Sequence, residues 1–301
     1  MNSKAKAWIG AFRLRTLPLA FSCILMGTFL AAGDGYFDGW ILALSLLTTL
    51  FLQVLSNLAN DYGDAVSGVD GLHRSGPGRT VSSGLLSSGE MKRALYFFAG
   101  LALISGVGLI WLAFGDNWVQ VVVFFLLGLG SIAAAIKYTV GKNPYGYAGW
   151  GDVFVLLFFG IVGVGGTYYL FVSEFNFLII LPALSCGLLA VGVLNVNNIR
   201  DIESDKAAGK YSIPVRLGRK RAIIYHWLLL LLAVGCTVIF LIIESAGWLE
   251  YLFLLTLPLL GVNARAVRAK DTAEQLDPYL RQLAFTTLFF VLLFGLGQVA
   301  F

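Results

Sequence analysis

The feature that most limits what this chain can fold into is its series of long, unbroken apolar runs. Ala222–Ile243 and Tyr251–Val262 contain no Asp, Glu, Lys or Arg, and several other stretches read the same way. Such a run has no polar face to turn to water, so its surroundings must be lipid. Lipid offers no hydrogen bonds, and every backbone amide must then be satisfied within its own helix or within a closed barrel. Barrel strands alternate polar and apolar residues over about ten positions. The runs here are continuous, which selects helices. Composition agrees: 58% of the residues are hydrophobic and 13% charged, against about a quarter charged in soluble domains.

A spanning helix needs about 20 mostly apolar residues. Nine stretches qualify: Leu17–Ala32, Gly39–Asn60, Ala94–Phe114, Trp118–Tyr138, Asp152–Val172, Phe177–Val196, Ala222–Ile243, Leu249–Ala264 and Leu283–Phe301. The expected architecture is all-α and polytopic, with residues 1–301 forming a single integral membrane domain. Pro18, Pro182 and Pro258 fall within or near helix starts and middles, where kinks are expected and tolerated. Cys23, Cys186 and Cys236 sit singly in apolar runs and read as small buried hydrophobes rather than a disulfide framework or zinc site. The N-terminus shows no cleavage site after a short apolar core, so the first helix is expected to remain in the mature protein.

Charge sets the orientation. With the N-terminus in the cytoplasm, the N-terminal arm and the connections after the even-numbered spans hold all 21 Lys and Arg residues. The opposite connections carry only acids, among them Asp34, Asp116 and Glu174. That is the positive-inside pattern. The net charge of +4 is therefore a topology signal, and no nucleic-acid partner is expected. No obligate protein partner is evident either; the expected surroundings are the lipid bilayer. The long connections, Asp61 to Met91 and Arg200 to Arg221, both lie on the cytoplasmic side, and long loops are usually functional or disordered.

Each of these loops begins with a polar cluster at the C-terminal end of a span. The first contains Asn57, Asn60, Asp61 and Asp64, with Asp70 following; the second contains Asn197, Asn198, Arg200, Asp201, Glu203 and Asp205. Residues four apart share a helix face, so Asn60 aligns with Asp64, and Asn197 with Asp201 and Asp205. Stacked carboxylates repel one another, and a helix C-terminus adds partial negative charge. A cation between them relieves both. Mg2+ takes hard oxygen ligands, commonly one or two carboxylates together with substrate phosphate oxygens. Solvated helix ends are the plainer reading of one cluster alone. Two clusters sharing an Asn-x-x-x-Asp core, both facing the cytoplasm, favour a joint magnesium–diphosphate site and suggest a four-helix unit used twice.

The motifs resemble those of the UbiA-type intramembrane prenyltransferases. The strings Ser56-Asn-Leu-Ala-Asn-Asp-Tyr-Gly-Asp64, Tyr138-Thr-Val-Gly-Lys142-Asn-Pro-Tyr-Gly-Tyr147 and Asn197-Asn-Ile-Arg-Asp201 resemble the branch acting on 1,4-dihydroxy-2-naphthoate, as do Arg15-Thr-Leu-Pro-Leu19 and Ala208–Gly218. One departure stands at Gly68, where many family members have Asp; Asp70 follows two residues later. The resemblance implies a UbiA-like helical bundle in a bacterial inner membrane, its active site facing the cytoplasm. It implies two substrates, a polyprenyl diphosphate and 1,4-dihydroxy-2-naphthoate, with carboxylate loss giving a demethylmenaquinol. Asp61, Asp64, Asp70, Asp201 and Asp205 would hold Mg2+. Tyr138 and Lys142 match a Tyr/Lys pair near the diphosphate, the ring to stabilise an allylic cation and the amine to neutralise phosphate; an interfacial aromatic with a snorkelling Lys is the structural alternative. Asn60, Asn197, Arg15, Arg74, Arg79, Lys206 and Lys210 are candidate substrate donors, and topology anchors otherwise. Arg13 is open to the same two readings.

The remaining polar residues are weaker signals. His73 reads as a solvated loop residue and His226 has no partner spacing. Asp152 is expected to cap the fifth span or to orient Lys142, and residues 209–218 to close over the site. Two rivals are a CDP-alcohol phosphotransferase, whose Asp-Gly-x-x-Ala-Arg run is absent, and a cation-coupled transporter, whose acids would sit at mid-membrane. Another aromatic acceptor, such as 4-hydroxybenzoate, is the alternative within the family.

Overall fold

The structure is a computed structural model that describes residues 3–66 and 84–300. Asp70, His73, Arg74, Arg79 and Gly68 lie outside the described residues. Among the described residues there is no strand, and nine helices are long and apolar enough to cross a membrane. They run Ser3–Gly33, Gly39–Val66, Ser88–Phe114, Trp118–Lys137, Gly151–Val172, Phe177–Arg200, Arg219–Ile243, Trp248–Ala269 and Ala273–Val299. Several extend beyond the apolar stretches, chiefly at the end that carries Lys and Arg. A helix leaving lipid keeps its internal hydrogen bonds, so nothing forces it to stop where hydropathy falls.

The first helix is broken. An initial segment, Ser3–Phe12, ends at Arg13, whose φ of 46° is left-handed, and a short 3-10 turn then leads into Leu17–Gly33. Pro18 and Pro258 stand at the first or second helical position, and Pro182 is third in Ile180–Arg200. A missing N–H costs little in the first turn of an α-helix; the α-segments that hold Pro182 and Pro258 each follow a 3-10 stretch of the same span, Phe177–Ile179 and Trp248–Thr256. Pro278, not singled out from sequence, is the proline inside a helix.

Packing divides the bundle unevenly. One core joins the first, fifth, sixth, seventh, eighth and ninth spans around Met26, Cys186, Leu189, Phe253, Phe290 and Phe294. A second joins the N-terminal segment to the second and third spans through Ala11, Leu55, Leu58 and Met91, with Ile132 and Ala135 of the fourth span against it. Leu17–Gly33 packs chiefly with the later helices, notably the ninth, and also meets the second span. Polar side chains tie helices in pairs: Thr48 donates to Ser105 at 3.0 Å, Thr237 to Ser185 at 2.8 Å, and His226 meets Asn263 at 2.9 Å. Such bonds hold helices together where lipid removes the hydrophobic drive for association.

No residue of the fourth span, Trp118–Lys137, is buried. One side of it faces outward and the other faces a space between the two cores. The fifth span borders that space with a wide π-helical turn over Leu156–Gly165, a form that is rare and concentrated at functional sites.

Candidate active site

The second span continues past the expected Asn60 to Val66, so the whole of the first cluster is helical. Asn57, Asp61 and Asp64 are buried, each 2–4% exposed. A buried carboxylate is costly unless it is compensated, and each here is. Arg13 pairs with Asp61, and the Tyr147 hydroxyl donates to Asp64 Oδ1. The left-handed turn at Arg13 bends the chain where that pairing is made. Asn57 Nδ2 donates to the Phe12 carbonyl at 2.9 Å and ties the same turn to the span.

Tyr147 reaches Asp64 because the turn after the fourth span lies against the second. Thr139 Oγ1 donates to the Ala59 carbonyl at 2.9 Å. A Cβ at Gly63 would stand 2.6 Å from the Thr139 carbonyl oxygen, and one at Gly146 would stand 2.7 Å from that of Tyr138. Only glycine lets these backbones approach so closely.

The sixth span ends at Arg200, and Asp201 leaves helical geometry (φ −101°, ψ 12°) before Ile202–Ala207 begins. The four-residue stacking survives the break: Asp201 N donates to the Asn197 carbonyl at 3.1 Å, and Asp205 N to that of Asp201 at 2.8 Å. Both carboxylates are 2% exposed. Arg200 binds Asp201 bidentately through Nε at 2.8 Å and Nη2 at 2.7 Å. It also donates to Asn197 Oδ1 at 2.9 Å and to Asp277 Oδ1 at 2.8 Å. Lys210 pairs with Asp205 at 3.1 Å.

Both clusters meet one cavity of about 1270 Å3. Its polar end is lined by Asn57, Asn60, Asp61 and Asp64 from the first and by Asn197, Arg200 and Lys210 from the second. Asp201 and Asp205 are held behind these and do not reach the lining. From there the walls turn apolar, through Leu157, Phe158 and Ile161 of the fifth span and Val123 and Leu127 of the fourth, and end at Tyr169, Glu174 and Phe175 near the opposite face. Tyr138 stands at the polar end beside Tyr145, ring centroids 5.3 Å apart at 70°. Burial pushes its phenol well above the ordinary tyrosine range, and Tyr145, Asp152, Asp205 and Asp64 add to the shift. Carboxylates of both clusters thus act on one ring, which stays protonated.

The other sequence-derived candidates scatter. Arg15 lines the cavity and donates to Asp277 at 3.1 Å. Lys142 and Lys206 are exposed and not among the lining residues, so of the Tyr138/Lys142 pair only the tyrosine faces the cavity. Asp152 neither caps the fifth span, whose cap is Trp150, nor orients Lys142; it accepts from the Tyr225 hydroxyl at 2.8 Å. His226 is part of the buried core through Asn263. The 209–218 segment packs on the turn beneath it, Tyr211 N donating to the Tyr147 carbonyl at 2.9 Å and Arg216 to that of Ala148 at 2.8 Å.

Sequence reasoning passed over Tyr145, Tyr147 and Asp277. The two tyrosines were visible in Asn-Pro-Tyr-Gly-Tyr without an assigned role; Asp277, an acid at the entry of an apolar span, is the signal that could have marked the third.

Comparison with known proteins bears on all of this. The model of the UbiA prenyltransferase family matches residues 20–294. The 1,4-dihydroxy-2-naphthoate octaprenyltransferase of Haemophilus influenzae is 44% identical, over 99% of this chain and 97% of that protein. The enzyme of the same name from Escherichia coli is 45% identical, over 98% and 96%. Among solved structures, a UbiA homolog from Archaeoglobus fulgidus bound to GPP and Mg2+ superposes with a TM-score of 0.63 at 19% identity, covering 96% of this chain and 99% of the other. An apo UbiA homolog from Aeropyrum pernix K1 gives 0.64 at 17% identity, covering 92% and 96%. These two establish the fold.

Proposed function

The chain belongs to the UbiA prenyltransferase family, and from that premise we propose that it transfers a polyprenyl chain from polyprenyl diphosphate to 1,4-dihydroxy-2-naphthoate, with loss of the carboxylate, in menaquinone biosynthesis. Relatives of that name match it at 44% and 45% identity over nearly their full length. The observation that carries the reading is the cavity that starts between the two polar clusters, at Asn60, Asp61 and Asp64 on one side and Asn197, Arg200 and Lys210 on the other, and continues as an apolar passage towards the opposite face. A ligand with a charged head at the membrane edge and a hydrocarbon tail in lipid requires that shape. A transporter reading fits less well, since the described acids lie towards the span ends and not at their middles.

The residues divide the work. Asp61 and Asp64 bring carboxylate oxygens to the cavity lining, while Asp201 and Asp205 are paired behind Arg200 and Lys210 and would have to turn from them to share an ion; among the described residues no three such acids stand together as a metal site. Carboxylate oxygens fit Mg2+, which would neutralise the departing diphosphate. Asp70, Arg74 and Arg79 are assigned to the same head group from sequence. Asn60, Asn197 and Lys210 supply donors on the lining, whereas Lys142 and Lys206 are exposed and do not line it. Tyr138, protonated and in the cavity lining, would offer its π system to positive charge at the prenyl carbon. As the prenyl C–O bond breaks, diphosphate leaves with the electron pair. The carboxylate-bearing ring carbon takes the prenyl group, and the neighbouring hydroxyl becomes a ketone by losing its proton. The resulting β-keto acid loses carbon dioxide, the bond's electrons return to the ring, and the oxygen is reprotonated. Holding both reactants side by side is worth about 7–11 kcal/mol.

Detergent-solubilised protein given polyprenyl diphosphate and acceptor labelled in its carboxylate should release one labelled carbon dioxide per prenyl group transferred. Label retained in the product, or consumption of 4-hydroxybenzoate alone, would overturn the acceptor assignment.

A further inference from the structure

Two anionic ligands brought into one cavity need separate cations. The cations on the acid clusters, Arg13, Arg200 and Lys210, are already paired with carboxylates there. Two further arginines line the same cavity. Arg15 uses one donor of Nη1 on Asp277, out of the five that a guanidinium carries. Arg281 also lines the cavity, and stands four residues after Asp277 in Ala273–Val299, hence on the same face one turn further along.

Asp277 is the hinge of this arrangement. Its Oδ2 accepts from Arg15 at 3.1 Å and its Oδ1 from Arg200 at 2.8 Å. One carboxylate on the last helix therefore fixes guanidiniums from the first and sixth spans, one helical turn before Arg281 on the same helix. We propose that Arg15 and Arg281 form a clamp for the carboxylate of the aromatic acceptor, and that Asp277 is the positioning residue that holds Arg15 in it. Planar guanidinium suits a planar carboxylate because two parallel hydrogen bonds form at once. The clamp also explains how an anionic acceptor enters beside a diphosphate without meeting its charge unscreened. The inference rests on the acceptor reading given above, and deepens it.

The test is direct binding, so that it does not depend on turnover. Wild-type protein in detergent is titrated with 1-hydroxy-2-naphthoate, a carboxylate that resembles the acceptor, and with neutral 1-naphthol. The expected result is a clear preference for the carboxylate. Arg281→Leu should weaken it about tenfold or more, the scale of a lost charged hydrogen bond, with 1-naphthol binding unchanged. Arg281→Lys should restore part of the difference. Asp277→Asn should weaken carboxylate binding less, and should raise the acceptor KM with the polyprenyl diphosphate KM within about twofold. Equal affinity of the wild type for the two probes, or an Arg281→Leu protein that keeps the preference, overturns the clamp even if prenyl transfer to the naphthoate is intact. Binding of the carboxylate without any turnover of the dihydroxy acceptor overturns the reading of the reaction instead, and leaves the clamp supported.

Discussion

At the scale of single residues, the site is a set of buried acids each matched to a partner side chain. Asp64 has the Tyr147 hydroxyl and Asp201 the Arg200 guanidinium. Replacing Asp64 or Asp201 with Ala should lower kcat by about 10²–10³, the range for a lost electrostatic stabiliser, in protein that still purifies as a single species. Near-wild-type turnover in both variants would reduce the acids to helix ends. Tyr138 gives a second expectation. Burial disfavours its phenolate and moves its titration upward, so the phenol is neutral wherever an ordinary tyrosine, near about 10, would be. It cannot act as a base in the working range. Tyr138→Phe should therefore leave the pH–rate profile unaltered below that value; disappearance of an alkaline limb in this variant would show that the hydroxyl titrates during turnover.

The decisive contact between elements is the one that brings the turn after the fourth span onto the second. It rests on Gly63, where a side chain would strike the Thr139 backbone. Gly63→Val should push the turn outward, carry Tyr147 from Asp64, and cost about 1–3 kcal/mol as overpacking does. The loss should appear both as a lower unfolding midpoint and as a larger fall in kcat than Tyr147→Phe produces. A variant as active as the wild type would mean that the turn is held elsewhere. The motif Asn-Asp-x-x-Asp was legible as chemistry, but this approach was not, because a glycine between two acids reads as a loop residue until its neighbour is known.

For the whole molecule, the expectations concern metal and membrane. Activity should vanish in excess EDTA and return with Mg2+, since the departing diphosphate would otherwise be left beside the carboxylates of Asp61 and Asp64 in the cavity lining. Undiminished turnover in chelator would leave the donor set without its ion. Orientation is tested in intact cells: a thiol at Lys220→Cys, exposed at the basic end, should be labelled only after the membrane is opened. One at Glu174→Cys, exposed at the other end, should react from outside. The reverse pattern would invert the topology drawn from charge.

The sequence by itself determined that the chain is helical, that nine of its described helices are long and apolar enough to cross a membrane, and which two strings carry the acids. Those properties follow from hydropathy summed over about 20 residues and from spacing along one helix, both local quantities. The tertiary structure decided which face of each string meets the cavity, since that depends on neighbours far away in the chain. Asp201 and Asp205 are turned behind Arg200 and Lys210, and Lys142 is left outside while Tyr145 lines the cavity and Tyr147 reaches Asp64. It also placed Asp277 against Arg15 and Arg200, across separations of 262 and 77 residues. No periodicity encodes such a meeting, because an ion pair between distant segments is fixed by how helices pack and not by the order in which they are written.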